Sequence, residues 1–281
     1  MIRIEILTVT ILLLVGFNYA AKLPSNWRTC KRSDKNMVDC VRSAVVDAVK
    51  SMKDGFPSLG VLPLDPMHFD SLSIGQGSGP VSINLDFKNM DINGISTLTK
   101  LENAKVNWEE YTLQADASFA SPLTLRGDYS ISGQVLVLPI VGKGKFNLTF
   151  DDFVAKLYLK GHEVTKAKNK YMEVDKFTVQ IETSKLHIYL GNLFNGDKAL
   201  GDNMNLFINE NWQEILKELR PAISKAFGEA FKDISNRVFR KIPITQIAPK
   251  FVMCGPNTVV AYSSHQYTAL QRNQICSKTP S

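Results

Sequence analysis

The chain has 281 residues, 44% hydrophobic and 21% charged, with a formal net charge of +6, enough to bury one large core or an elongated two-layer body. The basic excess is small and dispersed, which excludes a nucleic-acid reader, since that needs a dense basic face with interleaved aromatics. Beyond the N-terminus no stretch is apolar enough to cross a bilayer, so stable membrane insertion is not expected.

Arg3 is followed by an apolar run from Ile6 to Phe17, too short to span a membrane, and Ala20 and Ala21 offer a cleavage position. Residues 1–20 therefore read as a secretory signal, and the mature chain as secreted and extracellular. Cys30, Cys40, Cys254 and Cys276 then meet an oxidising setting and are expected to pair. Three connectivities are possible; Cys30 with Cys40 and Cys254 with Cys276 keeps both loops local. Neither pair has metal-knuckle spacing, and His68, His162, His187 and His265 are scattered, so no metal or cofactor is expected.

Ser33 or Asp34 can cap a helix from about Asn36 to Lys53, in which Met37, Val41, Ala44, Val45, Ala48, Val49 and Met52 share one face. Gly55 and Pro57 stop it, and the prolines at 57, 63 and 66 make the next segment a loop. From Phe69 to Leu190 the helical period gives way to strict alternation, as in Val81, Ile83, Leu85 and Phe87, in Tyr111, Leu113, Ala115 and Ala117, and in Leu186, Ile188 and Leu190. Leu123 to Val141 reads as one unusually long strand, bent at Gly127 and Gly133, with Gly142 and Gly144 turning the chain afterwards. Asn147, Leu148 and Thr149 form a glycosylation sequon, and Asn147 has the parity opposite to Phe146 and Leu148, so its side chain should face water. Lys166, Lys168 and Lys170 mark a solvated hairpin tip.

Gly191 to Asp202 is polar and turn-rich. It leads into an apolar stripe at steps of three and four, from Trp212, Ile215, Leu216, Leu219 and Ile223 to Phe227, Phe231, Ile234 and Val238. We read one long amphipathic helix over Asn205 to Lys241, bent at Pro221. Residues 252–281 lack periodicity and form a tail, so residues 21–251 make a single domain. Long alternating strands plus one rod predict an α+β fold, a strongly curved antiparallel sheet wrapped around the C-terminal helix, with a shorter N-terminal helix.

No constellation argues for catalysis. Gly75, Gly77 and Gly79 precede Pro80 and a strand, where a phosphate cradle would need a helix. Ser130 and Ser132 lack the flanking glycines of a nucleophile elbow, and His162 and Glu163, adjacent on a strand, point to opposite faces. The protein therefore reads as no enzyme. What the pattern supplies is apolar surface in excess, which either packs solid or leaves a cavity for a small hydrophobic ligand. The inward candidates for such a lining are Val45, Val49, Leu125, Tyr129, Val137, Phe146, Phe177, Ile188, Ile223 and Phe227. Tyr129 needs a hydrogen-bond partner, either backbone or the polar end of a ligand. A filled core would instead suit an extracellular signalling or protein-interaction module with a receptor as its partner.

Several stretches carry a family likeness: Cys30 with Cys40, Gly55 to Val61 (GFPSLGV) with Leu64, Asp65 and Pro66, Phe87 to Gly94 (FKNMDING), and Tyr129 to Gly133 (YSISG) running on to Leu138 to Gly144 (LPIVGKG). In this order they resemble the insect takeout and juvenile hormone-binding proteins, over about Leu23 to Phe251. The resemblance implies a curved antiparallel sheet around a long C-terminal helix, an elongated apolar tunnel, and carriage of terpenoid or fatty ligands in body fluid. The hormone-binding branch has a second disulfide within the body of the fold. This chain has no cysteine between Cys40 and Cys254, which places it closer to the takeout branch.

Overall fold

The computed structural model describes residues 21–75, 80–253 and 259–262. The signal-like segment, Gly77, Gly79, Cys254, His265 and Cys276 lie outside the described residues.

The architecture is α+β and antiparallel, as the alternation requires. Helix α1 (Met37–Ser51) precedes β1 (Met67–Ile74), β2 (Val81–Asn93), β3 (Leu98–Asn107), β4 (Thr112–Phe119), β5 (Leu123–Val135), β6 (Leu138–Asp151), β7 (Val154–Lys166), β8 (Asn169–Glu182) and β9 (Lys185–Leu190). Then come α2 (Lys198–Glu210), α3 (Trp212–Phe239), the one-turn α4 (Ile244–Ile247) and a small hairpin, β10 (Lys250–Met253) with β11 (Val259–Tyr262). The hydrogen-bond ladders resolve the large antiparallel layer into a five-stranded sheet, ordered β1-β2-β5-β6-β9, and a four-stranded one, ordered β3-β4-β7-β8. Val81, Ile83 and Phe87 are buried and Ser82, Asn84 and Lys88 exposed, so the period-two pattern sorts the two faces. Opposite Gly127 the register of β2 shifts between Lys88 and Asp91, the local irregularity expected of a bent strand. Lys166 and Asn169 close the β7–β8 hairpin around the lysines, at the expected tip.

The single strand expected over Leu123 to Val141 is two strands. Val135 pairs with Leu138, and Leu136 (φ 55°) and Val137 form the turn between them. Neither is a residue that favours such a turn, so nothing local announced it. As a result Gly142 and Gly144 do not turn the chain but lie inside β6, where residues 191–193 cross at close range. A Cβ on Gly144 would sit 2.3 Å from the Gly191 carbonyl oxygen, and one on Gly142 would sit 2.7 Å from the Tyr129 hydroxyl. These glycines permit a close approach, the alternative meaning of glycine in a strand. Gly144→Ala is expected to cost about 1–3 kcal/mol by overpacking, read as a lowered urea midpoint with an unchanged slope.

The long helix also differs from its expected form. Helix begins earlier, at Lys198, where the Asp197 carboxylate accepts from the Leu200 N–H at 2.9 Å. It breaks at Asn211, not at Pro221. Asn211 sends both its backbone N–H (3.1 Å) and its side-chain amide (2.8 Å) to the Phe207 carbonyl, ending α2, while its own carbonyl accepts from Ile215 to begin α3 at 3.2 Å. A side-chain amide competing for the last carbonyls is a known helix terminator. Pro221 is carried inside α3 on its exposed side. At the expected N-cap of α1, Asp34 accepts instead from the Asn36 N–H, one residue before the helix.

Three asparagines fasten these helices to strand edges. Asn205 bonds both the N–H and C=O of Leu190 (2.9 Å each), Asn209 both groups of Ile188 (2.9 and 2.6 Å), and Asn236 both groups of Val174 (2.8 and 3.0 Å). Each amide thus stands in for one residue of a further strand beside β9 or β8. Between these fixings Gly228 brings α3 against β8, where a Cβ would meet the Phe177 carbonyl oxygen at 2.4 Å.

Candidate functional site

The two sheets, α1 and α3 enclose a cavity of about 480 Å³. Its walls are apolar apart from Arg28 and Ser235. Trp27, whose indole nitrogen donates to the Ser51 hydroxyl at 2.7 Å, and Trp108 also border it. α1 contributes Val41, Ala44, Val45, Ala48 and Val49, while β4 contributes the small side chains Ala115 and Ala117. From α3 the stripe of Ile215, Leu216, Leu219, Ile223, Phe227, Phe231 and Ile234 faces the same space. The apolar face of the rod is therefore only partly covered by protein.

Of the lining candidates, Val45, Val49, Leu125, Phe177, Ile188, Ile223 and Phe227 border the cavity. Phe146 lies one layer behind, its ring 4.5 Å from that of Phe87, which does border it. Val137 is 79% exposed at the β5–β6 turn, away from the cavity, because the chain reverses there and alternation does not continue through a turn. Tyr129 is buried beside the cavity wall, and its hydroxyl donates to the Gly191 carbonyl at 2.8 Å. Its partner is therefore backbone, and burial, helped by nearby Tyr189, pushes its pKa up to about 12.

The N-terminal arm closes one part of the cavity. Leu23, Trp27, Arg28 and Cys30 border it, and Cys30 is disulfide-bonded to Cys40 on α1. The arm is also laid against the chain after α3, through Cys30 N–H to the Ile247 carbonyl (3.1 Å) and Arg32 Nε to the Ala248 carbonyl (2.9 Å). The described histidines pair with surface aspartates: His68 with Asp91 at 2.7 Å, His162 with Asp175 at 2.9 Å, and His187 with Asp151 at 3.2 Å. Among the described residues no three His, Cys, Asp or Glu side chains converge in a way that could hold a metal ion.

The family model for haemolymph juvenile hormone binding protein matches residues 6–249. The chain belongs to that family. Among its relatives, the circadian clock-controlled protein daywake of Drosophila melanogaster is 24% identical over 233 residues, spanning 81% of this chain and 88% of that protein. Daywake of Drosophila yakuba is 22% identical over 226 residues, spanning 78% and 86%. Among solved structures, Takeout 1 of Epiphyas postvittana superposes with a TM-score of 0.67 at 26% identity, covering 79% of this chain and 99% of that one.

Two of the stretches that resemble the haemolymph juvenile hormone binding protein family meet in space. Asp65, from Leu64-Asp65-Pro66, accepts from the backbone N–H groups of Gly94 and Ser96 at 3.0 Å each and from the Ser96 hydroxyl. It thereby fixes the turn that carries the chain from β2 in one sheet to β3 in the other. Burial raises the Asp65 pKa, but the Ser96 hydroxyl and the Gly94 and Ser96 amides outweigh it, and the net shift is downward. A lowered folded pKa contributes stability above the unfolded value, lost as pH falls through the folded one. Asp65→Asn, which turns an acceptor into a donor, is expected to cost about 1–3 kcal/mol at neutral pH. That deficit should narrow as the parent is acidified below the ordinary carboxylate range, as measured by urea unfolding across pH.

Proposed function

We propose that this protein is a secreted carrier that encloses one small lipophilic molecule, a terpenoid or a fatty chain, between its two sheets and α3. The observation that carries this is the apolar cavity of about 480 Å³, within the roughly 300–1,000 Å³ typical of small-ligand sites. An apolar void stays dry and accepts apolar guests, and each methylene removed from water contributes about 0.8 kcal/mol. Membership of a family named for hormone binding in haemolymph supports the same reading. In this proposal residues 1–20 direct export and are removed. Asn147, half-buried on β6 and accepting from Arg126 Nε at 3.3 Å, is the glycan attachment point. Cys254 pairs with Cys276.

Native mass spectrometry of protein secreted by insect cells tests these points together. The expected spectrum shows a one-to-one lipid adduct, loss of about the first 20 residues, and a hexose-bearing mass removed by Asn147→Gln. If organic extraction yields no stoichiometric lipid, and the apolar fluorophore N-phenyl-1-naphthylamine does not bind the extracted protein, the carrier proposal is wrong.

A further inference from the structure

Among the described residues seven large hydrophobic side chains are exposed, and Val137 (79%), Leu138 (37%) and Val141 (49%) fall together at the β5–β6 hairpin. Leu136 enters the turn with φ 55°, a conformation that a bulky side chain adopts at a cost and that glycine takes freely. The aliphatic tip is thus kept against local preference. Its backbone is largely provided for within the hairpin: Val135 pairs with Leu138, the Leu136 carbonyl accepts from Gln134 Nε2 at 2.7 Å, and Pro139 carries no N–H. Charge is graded along the same element. No charged side chain lies between Asp128 and Lys143, and on β2, beside β5, the exposed Ser82 and Asn84 come before Asp86. Asp128 is paired with Lys145 at 2.6 Å, and Asp86 accepts from the Ser73 hydroxyl. On the chain that crosses Gly142 and enters α2, Lys198 pairs with Asp202, and the Asp197 carboxylate is engaged by the Leu200 N–H. Lys143 is exposed.

An apolar tip backed by uncharged hydroxyls and amides, and then by a lysine, matches the layers of a phospholipid surface. Along β6, Val141 lies roughly 10 Å beyond Leu138 at about 3.3 Å per residue, close to the roughly 5–10 Å to which interfacial segments bury their apolar side. Lys143 then stands at the level of the phosphates, its stem along the acyl boundary. A protein partner would be met by aromatic or arginine anchors, and this tip has neither. We infer that the β5–β6 hairpin is a peripheral docking element whose partner is the surface of a phospholipid bilayer. The inner side of the same hairpin, Ile131, Val135 and Ile140, borders the cavity, so docking brings that part of the cavity to the bilayer. The docking goes beyond the carrier reading, and neither depends on the other.

The test is flotation of the full chain with phosphatidylcholine vesicles, with and without phosphatidylserine. The unaltered protein should float with both. Val137→Ser combined with Leu138→Ser should lower the partition coefficient at least about tenfold at an unchanged thermal midpoint. Lys143→Gln should weaken binding to the vesicles that contain phosphatidylserine alone, by roughly three- to fivefold. Leu62→Ser removes a comparably exposed side chain (63%) from the loop before β1, at the end of the sheet away from the hairpin, and should change nothing. Hydrogen exchange at the Leu136, Val137 and Leu138 amides should slow on adding vesicles. Absence of flotation, full flotation of the double serine variant, or an equal loss from Leu62→Ser would each overturn the docking site. Absence of flotation together with a concentration-dependent dimer abolished by Val137→Ser would assign the tip to a second copy of this chain instead. Flotation is read without any guest, so its failure leaves the carrier reading standing, and a protein that yields no extracted lipid can still dock.

Discussion

Ala115→Phe is expected to reduce binding of N-phenyl-1-naphthylamine by at least about tenfold without lowering the thermal midpoint by more than a few degrees. Ala115 is 1% exposed, on β4 between β3 and β7, and borders the cavity. A ring built from that position enters space that a guest would otherwise fill. In a solid core the same change would overpack and cost about 1–3 kcal/mol; here part of that strain is relieved by the void. Val137→Phe serves as the matched control, because Val137 is 79% exposed and its enlargement should leave probe binding untouched. Full probe uptake by the Ala115 variant would place the probe somewhere other than between the sheets.

Asn236→Leu is expected to remove about 2–6 kcal/mol of stability, since it strands both the N–H and the C=O of Val174, each at about 1–3 kcal/mol. Asn236 is 5% exposed, the one polar residue among the fully buried side chains described, so no water stands ready to replace the amide. Leucine matches asparagine in shape yet offers neither donor nor acceptor. The loss would appear as a lowered urea midpoint and as accelerated hydrogen exchange at the Val174 amide. Asn205→Leu and Asn209→Leu, at half-buried positions, should each cost less, because solvent can reach β9. An unchanged midpoint for Asn236→Leu would mean that α3 is held to β8 by apolar contact alone.

The alternation through Val81 to Phe87 and the three-four spacing from Trp212 to Val238 were enough to read the fold class, because burial on one face leaves its period directly in the sequence. Seven of the ten lining candidates, Val45, Leu125, Ile223 and Phe227 among them, border the cavity because they lie on inward parities of that kind. Parity gives the face and not the depth, so Phe146, behind Phe87, was indistinguishable from a wall residue. The turn at Leu136 and Val137 carried no glycine, asparagine or proline to mark it, and the missed reversal also misassigned Gly142 and Gly144. The asparagines that pin α2 and α3 could not be read, since each finds its partner 15 to 62 residues away.

The amides on Leu190, Ile188 and Val174 have an effect beyond stability. Together with the Arg42 guanidinium, which donates to the Leu101 carbonyl of β3, they occupy backbone groups at which β9, β8 and β3 could recruit a strand from another molecule. Long, flat strands with free rims are templates for polymerisation. This chain blunts that tendency at β9, β8 and β3 by laying its own helices along them, so those rims are closed to a strand from a neighbouring molecule.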